Sequence, residues 1–171
     1  MPLIAHDDCA LIVIDAQPGF YPPELPETDR AAWLVELAAR LDVPVVVTEE
    51  EPEDNGTTDP RLAVSPAHVK PTFGLAGTPA ILADVTRPAA VLVGFETDVC
   101  VYQSAVGLLD AGRQVLVVED ATFSPGEMQA RGLSRLRDAG ARLTHAKALG
   151  YEWVRTVEGA AVLPRPAPFR L

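Results

Sequence analysis

The chain has little of several features that define specialised classes of protein. Its 171 residues include only two cysteines, too few for a disulfide scaffold and without CxxC spacing. No apolar run approaches the ~18–20 residues that span a bilayer. The N-terminus lacks the cationic start and long apolar stretch of a signal peptide. We therefore expect a cytoplasmic protein with no membrane partner.

Basic residues are also scarce, with 14 Lys and Arg against 24 Asp and Glu and a net charge of −10. This balance argues against a nucleic-acid or anionic-membrane partner, because both require clustered positive charge. No GxGxxG or P-loop motif follows a predicted strand, so nucleotide binding is not favoured. Hydrophobic residues make up 48% of the chain, enough to bury a core. The length predicts one domain, residues 1–171.

Short apolar runs alternate with longer amphipathic stretches along the chain. The runs are CALIVID (9–15), VPVVVT (43–48), AAVLVG (89–94) and QVLVVED (114–120), with weaker ones at HVK (68–70) and ARLTH (141–145). Apolar runs without polar alternation are typical of strands covered on both faces. Helical patterns at 28–41, 98–112 and 126–140 lie between them. The rhythm predicts an α/β fold with a helix-covered parallel sheet. The proline-rich tail from about residue 163 is expected to extend over the surface or onto a partner subunit.

Three reactive side chains stand at the exits of predicted strands: Asp15 and Lys70 end their runs, and Cys100 follows the run 89–94. Ligands bind at the carboxyl ends of parallel strands, so these groups can converge on one pocket. A thiol, a carboxylate base and a cation suit nucleophilic acyl chemistry. Each residue also has a plainer interpretation, as a buried small side chain, a loop cap and a surface lysine respectively.

The position of Cys100 carries a further expectation about its ionisation. Thr97 or Asp98 can cap the helix that follows, which places Cys100 in the first turn. Unpaired N–H groups and the helix dipole there favour a thiolate over a thiol. Cys9 begins a strand at the opposite edge and is interpreted as inert core.

Three segments resemble, in order, blocks of the isochorismatase-like cysteine hydrolases: ALIVIDAQPGF, VKPTFG and VGFETDVCVYQSAVGLLDAGRQVLVVEDATFS. The resemblance runs from about residue 9 to 150. It implies a three-layer fold with a six-stranded parallel sheet of order 3-2-1-4-5-6 and helices on both faces. By this resemblance, Asp15, Lys70 and Cys100 match the family's catalytic triad.

The resemblance also implies how the site would work. A cis peptide bond is expected at Phe95–Glu96, and the N–H groups of Glu96 and Cys100 would form an oxyanion hole. The expected activity is hydrolysis of a small amide, carbamoyl or related C–N substrate through a thioester, without a cofactor. A homo-oligomer is implied as well. Side chains predicted to line the substrate pocket, for each of which loop packing is the alternative, are Gln17, Phe20, Phe73, Thr97 and Tyr102.

The sequence departs from named members of the family in informative places. Nicotinamidases carry histidines in a metal site after the second strand, whereas residues 49–54 here are acidic and contain no histidine. We predict a solvated loop there and no metal. Siderophore-type isochorismatases lack the cysteine, so Cys100 argues against their reaction. The sequence is most similar to the isochorismatase-domain subgroup, which often has histidine where Asp98 stands.

Two other functions stay open at this point. In a Cys–His hydrolase, His68 or His145 would serve as the base for Cys100. A non-catalytic binding or assembly module on the same scaffold is the second alternative, because a fold does not dictate function.

Overall fold

The computed structural model describes residues 3–21 and 24–169, and its centre is a parallel sheet of six strands. The strands are β1 (Cys9–Ile14), β2 (Val45–Glu49), β3 (His68–Val69), β4 (Ala89–Phe95), β5 (Gln114–Phe123) and β6 (Arg142–Thr144). Their order is β3-β2-β1-β4-β5-β6, and every neighbouring pair is parallel. The predicted fold class and strand order are confirmed.

Helices connect the strands and cover the sheet. They are α1 (Pro26–Arg40), α2 (Pro52–Asn55), α3 (Pro79–Asp84), α4 (Tyr102–Asp110), α5 (Met128–Asp138) and α6 (Ala146–Val154). The three predicted helical stretches correspond to α1, α4 and α5, whereas α2, α3 and α6 have no counterpart among the predictions. Within the described ranges, no helix is both long and apolar enough to cross a membrane.

Alternate residues of β1 divide the core into two layers. Leu11 and Val13 face a cluster that includes residues of α1 and α6, whereas Ile12 and Ile14 face a second cluster built with α3, α4 and α5. All six residues of β1 are buried. Burial of both faces explains the unbroken apolar run of this strand, since each side of the sheet is covered by helices.

Gly94 allows β4 to approach β1 next to the strand exits. Its φ is +112°, and a Cβ added there would lie 2.0 Å from the carbonyl oxygen of Ile14. Only glycine tolerates both the backbone conformation and this contact. The close approach fixes where the chain leaves β4.

The C-terminal tail packs on its own chain. Trp33 Nε1 of α1 donates a hydrogen bond of 2.9 Å to the carbonyl of Pro164, and the ring of Phe169 lies edge-on to Trp33 with centroids 5.0 Å apart. This path over the surface is one of the two predicted for the tail. The predicted tail includes Arg170 and Leu171, and the predicted 1–171 domain also includes residues 1, 2, 22 and 23; all six lie outside the described residues.

Candidate active site

Asp15 and Lys70, which follow β1 and β3, meet as a buried ion pair. The ammonium Nζ of Lys70 lies 2.6 Å from Oδ2 of Asp15, and both side chains are fully buried. Strand β2 separates β1 from β3 in the sheet, so the long lysine side chain reaches across one strand exit. A buried charge requires such a partner, because removal from water costs several kcal/mol for each ion.

Asp15 is held in a strained backbone conformation. Its φ of 44° lies in the left-handed region, which non-glycine residues seldom adopt. Its N–H donates to the carbonyl of Thr48 at 3.1 Å, and Thr48 Oγ1 donates to Oδ1 at 2.8 Å. Oδ2 has the Lys70 ammonium as its ion-pair partner but no well-aligned hydrogen bond from any described residue. This oxygen therefore has capacity to accept a further hydrogen bond.

Lys70 is held from the other side by backbone carbonyls. Nζ donates to the carbonyls of Thr72 at 3.0 Å and Phe73 at 2.8 Å. These two hydrogen bonds and the contact with Asp15 match the three N–H groups of an ammonium. The cation is thus fixed in place against the Asp15 carboxylate.

Cys100 lies in a π-helical turn, Thr97–Val101, that precedes α4. The prediction that Thr97 or Asp98 caps an α-helix here is wrong, because Glu96 occupies the cap position and makes no side-chain capping bond. The hydroxyl of Thr97 instead donates 2.7 Å to Oε1 of Gln129 in α5.

Asp98 and Ser124 fasten the same turn to the end of β5. Ser124 Oγ donates 2.6 Å to Oδ1 of Asp98 and accepts from the N–H of Asp98 at 3.2 Å. Ser124 is 1% exposed, so this reciprocal pair is shielded from water. Gly132 of α5 packs so closely that an added Cβ would lie 2.9 Å from Asp98 Cβ. Asp98 therefore positions the cysteine turn.

The thiol of Cys100 is the resting form. Burial raises its pKa most, and the neighbouring Asp15 carboxylate adds to the effect through its charge and as acceptor of the thiol hydrogen bond. Lys70 opposes the shift, and the resulting pKa is about 12. The prediction that helix position favours a thiolate is therefore wrong. Such a thiol would need a base to remove its proton before it could act as a nucleophile.

Backbone N–H groups lie beside the cysteine turn. The Phe95–Glu96 peptide bond is cis, at the position that the resemblance implies. The carbonyl of Glu96 accepts from Val99 at 3.2 Å and Val101 at 3.0 Å, on either side of Cys100. The N–H of Glu96 donates to no other group in the described part of the chain. That N–H is therefore an available hydrogen-bond donor beside the cysteine turn.

Among the predicted pocket residues, Gln17 and Thr97 have structural hydrogen bonds. Gln17 is fully buried, and its Nε2 donates to the carbonyls of Glu50 at 3.0 Å and Gly56 at 2.6 Å. Its Oε1 accepts the N–H of Glu50 at 2.8 Å. The amide has no donor left for a substrate. We correct its role from substrate contact to positioning of the loop after β2.

The aromatic members of the predicted pocket differ in their surroundings. Phe73 is 50% exposed and lies beside the Lys70 ammonium through its backbone carbonyl. Phe20 is half-buried against the core layer of α1. The guanidinium of Arg135 stacks over the Tyr102 ring, with Cζ of Arg135 3.8 Å from the centroid of the ring. Packing accounts for Phe20 and Tyr102, whereas Phe73 keeps an exposed ring near the site.

Sequence reasoning missed Glu50 as part of the site. It follows β2, between the exits that carry Lys70 and Asp15. Gln17, two residues after Asp15, hydrogen-bonds to the carbonyl and the N–H of Glu50. The charge of the Glu50 carboxylate contributes to the raised pKa of Cys100. The position of Glu50 directly after a strand is the sequence feature that indicates a site residue. Because four of its five neighbours in residues 49–54 are also acidic, composition alone does not distinguish it from a solvated loop residue.

Glu49, the first residue of the acidic segment, has a structural role because it holds the loop at Thr58. Oε1 of buried Glu49 accepts the N–H and the hydroxyl of Thr58, both at 2.7 Å. Across residues 3–21 and 24–169, no group of three or more His, Cys, Asp or Glu side chains has the arrangement of a metal site.

Neither candidate histidine base lies against Cys100. His68 pairs with Asp84 at 2.8 Å, and exposed His145 lies 3.2 Å from Glu119. The principal groups that shift the pKa of the thiol are Asp15, Lys70 and Glu50. This arrangement favours a carboxylate as the base.

The sheet order and these strand exits are those of the isochorismatase family. The model of the isochorismatase domain matches residues 9–148, and the chain belongs to this family. Members of the family are hydrolases.

Its relatives include the isochorismatase domain-containing protein 2 of several vertebrates. The Bos taurus protein is 37% identical over 72% of this chain and 63% of its own length. The Rattus norvegicus protein is 30% identical over 81% of this chain and 71% of its own length. The chain thus spans less than two thirds of the bovine relative.

Solved structures share the fold. MAR1 ribonuclease from Caenorhabditis elegans superimposes with a TM-score of 0.84 at 27% identity, covering 99% of this chain and 98% of that one. YcaC from Pseudomonas aeruginosa, with covalent acrylamide, has a TM-score of 0.82 at 25% identity over 94% and 89% of the two chains. The Escherichia coli YcaC product, an octameric hydrolase of unknown specificity, has a TM-score of 0.84 at 22% identity over 95% and 89%.

Proposed function

We propose that the protein is a cysteine hydrolase that cleaves a small amide, carbamoyl or related C–N bond through a thioester on Cys100. The observation that carries this proposal is the buried Asp15–Lys70 pair beside a protonated thiol. A thiol whose pKa is about 12 is a poor nucleophile unless a base is in reach. Asp15 is that base, and Lys70 holds its charge in place.

The acylation step uses one proton transfer in each direction. Asp15 takes the thiol proton as Sγ of Cys100 forms a bond to the carbonyl carbon of the substrate. The C=O electron pair moves to oxygen, and the N–H groups of Glu96 and Cys100 donate to that oxyanion. When the tetrahedral species collapses, the C–N bond breaks and the leaving amine takes the proton from Asp15.

Deacylation repeats the sequence with water. Asp15 takes a proton from a water molecule as the oxygen of that water attacks the thioester carbon. The C–S bond then breaks, and Cys100 leaves with the proton from Asp15. The products are an amine and a carboxylic acid, or carbamic acid from a carbamoyl substrate. The enzyme returns to its starting state without a cofactor.

The neighbouring structures add support from chemistry. Covalent acrylamide on Pseudomonas aeruginosa YcaC requires a nucleophilic group in that protein. One of the neighbours is a ribonuclease. RNA is not favoured as a substrate of the present chain, because the chain has a net charge of −10 and RNA binding depends on positive charge. The two cysteines are free, as expected of the cytoplasm that we propose as its compartment.

We further propose a homo-oligomer, which the octameric Escherichia coli neighbour suggests. Size-exclusion chromatography with light scattering tests this proposal. A mass above one chain at micromolar concentration is expected, and a mass of 18.2 kDa would contradict it.

A hydrolysis screen with matched variants tests the function. Small primary amides, ureas and carbamoyl compounds are incubated with the wild type, Cys100→Ala and Cys9→Ala, and released ammonia or amine is measured. Cys9 is fully buried in the other core layer and serves as the matched cysteine control. We expect turnover by wild type and Cys9→Ala and none by Cys100→Ala. Equal turnover by Cys100→Ala would exclude a thioester mechanism.

A further inference from the structure

Within residues 3–21 and 24–169, the cation that acts on the Cys100 thiol is Lys70, and the protein already uses it. Lys70 is 1% exposed, donates to two backbone carbonyls and contacts Asp15 at 2.6 Å. Among the principal groups that shift the pKa of Cys100, it is the single positive charge. An anionic substrate would therefore enter the site without a free cation to meet it.

Glu50 is the opposite case, a carboxylate whose backbone is fixed and whose side chain is free. Gln17 contacts both its N–H and its carbonyl, and Asn55 Nδ2 also donates to that carbonyl at 3.0 Å. The side chain is half-buried and, within the described residues, makes no hydrogen bond or ion pair. The loop thus holds a rigidly placed, unused acceptor at the exit of β2.

The surroundings make this carboxylate receptive to positive charge. Burial raises its pKa most, Lys70 lowers it, and Asp15 and Glu51 raise it further. A poorly solvated carboxylate gains more from a nearby cation than one at an open surface, since the effective dielectric constant is lower. Asp15 and Lys70 form an ion pair of opposite charges, so Glu50 is the remaining charged group among those that shift the pKa of the Cys100 thiol.

We propose that Glu50 selects the substrate, and that the substrate is a small amide or carbamoyl compound bearing an ammonium or guanidinium group. This inference rests on the proposed function for the reacting bond. The Glu50 carboxylate pairs with the cationic end, which directs the carbonyl carbon towards Cys100 and excludes compounds that carry a carboxylate instead.

Thiol reagents of opposite charge test the preference without any need for turnover. Aminoethyl and sulfonatoethyl methanethiosulfonate are similar in size and carry one positive and one negative charge. With either reagent, Cys100 loses its proton to solvent, forms a disulfide and releases methanesulfinate. Peptide mass spectrometry gives the rate at Cys100, and each rate is divided by that of free cysteine with the same reagent.

The expected ratio of cationic to anionic rates in the wild type is about 10 or more, because the Glu50 carboxylate attracts the first reagent and repels the second in a medium of intermediate dielectric constant. Glu50→Gln is expected to reduce this ratio severalfold, and Glu50→Lys to invert it. Glu53→Gln is the matched control, because Glu53 is an exposed glutamate of the same loop. It is expected to leave the ratio unchanged.

A wild-type ratio at or below 1 would overturn the proposal, as would equal effects of Glu50→Gln and Glu53→Gln. Failure of Cys100 to react with either reagent would overturn it too, since a small ligand could not reach the site. The hydrolysis screen is independent of these rates. A charge preference without amide turnover would refute the proposed function alone, and turnover without a charge preference would refute this inference alone.

Discussion

Replacement of Asp15 by asparagine should change thiol reactivity and hydrolysis in opposite directions. Asparagine keeps the shape of the side chain but removes the charge that helps to hold Cys100 protonated. The Lys70 ammonium then has no charged partner and stabilises the thiolate. We expect faster alkylation of Cys100 and slower cleavage of the substrate.

The size of both effects follows from the charges at the site. A charge within about 4–6 Å shifts a pKa by about 1–3 units, so the thiolate fraction below the pKa rises about 10- to 1,000-fold. Nucleophilicity falls as the pKa falls, with a Brønsted coefficient of about 0.5. The net gain in alkylation by iodoacetamide at pH 7–8 is then about 3- to 30-fold. Loss of the base should reduce hydrolysis by about 10²–10⁴-fold.

The assay is alkylation of Cys100 as a function of pH, followed by mass spectrometry in a Cys9→Ala background. An unpaired buried Lys70 costs about 3–5 kcal/mol of stability, so folding is checked by thermal unfolding. The double variant Asp15→Asn, Lys70→Met lacks both charges and should alkylate more slowly than the single variant. A folded Asp15→Asn protein that alkylates no faster than wild type would refute the electrostatic reasoning.

Three further predictions concern the surroundings of the site. Ser124→Ala removes the buried partner of Asp98 and should cost about 1–3 kcal/mol of stability. Ser124→Ala should also lower kcat with little change in KM. The control Ser134→Ala, at an exposed serine, should change neither stability nor kcat. Glu50→Gln should raise the thermal midpoint at pH 7, because the raised pKa of this carboxylate means that its ionised form is disfavoured in the folded state. The gain should vanish below about pH 4, where the carboxyl is protonated in both states, and a pH-independent change would contradict this. Gly94→Ala should prevent folding as judged by circular dichroism, because its Cβ would lie 2.0 Å from a carbonyl oxygen; a folded, active variant would contradict it.

The sheet was predictable because its signal is local. Strands buried on both faces need unbroken apolar runs, and β1 and β4 show them plainly. Reactive residues that follow parallel strands meet at one edge, and the ion pair of Asp15 with Lys70 satisfies that expectation. Helix α6 was missed because its burial comes from contact with α1, where Gly150 leaves room for the Trp33 ring.

The electrostatics of the site were less predictable because they depend on tertiary contacts. Position at a helix start argues for a thiolate at Cys100, but burial and Asp15 outweigh it. The importance of Glu50 depends on hydrogen bonds from Gln17 that fix the loop, and no local pattern encodes them. In the same way, the contact of Ser124 with the cysteine turn joins residues 26 positions apart.

The most direct test of the account is to identify the covalent intermediate. Wild-type protein is mixed with a hydrolysed amide, quenched in acid within the first turnovers, and digested for peptide mass spectrometry. We predict an acyl mass on Cys100, absent from Cys9 and from the Cys100→Ala variant, that disappears when the substrate is exhausted. Turnover at full rate with no acyl group on Cys100, or with the acyl group on another residue, would contradict the account.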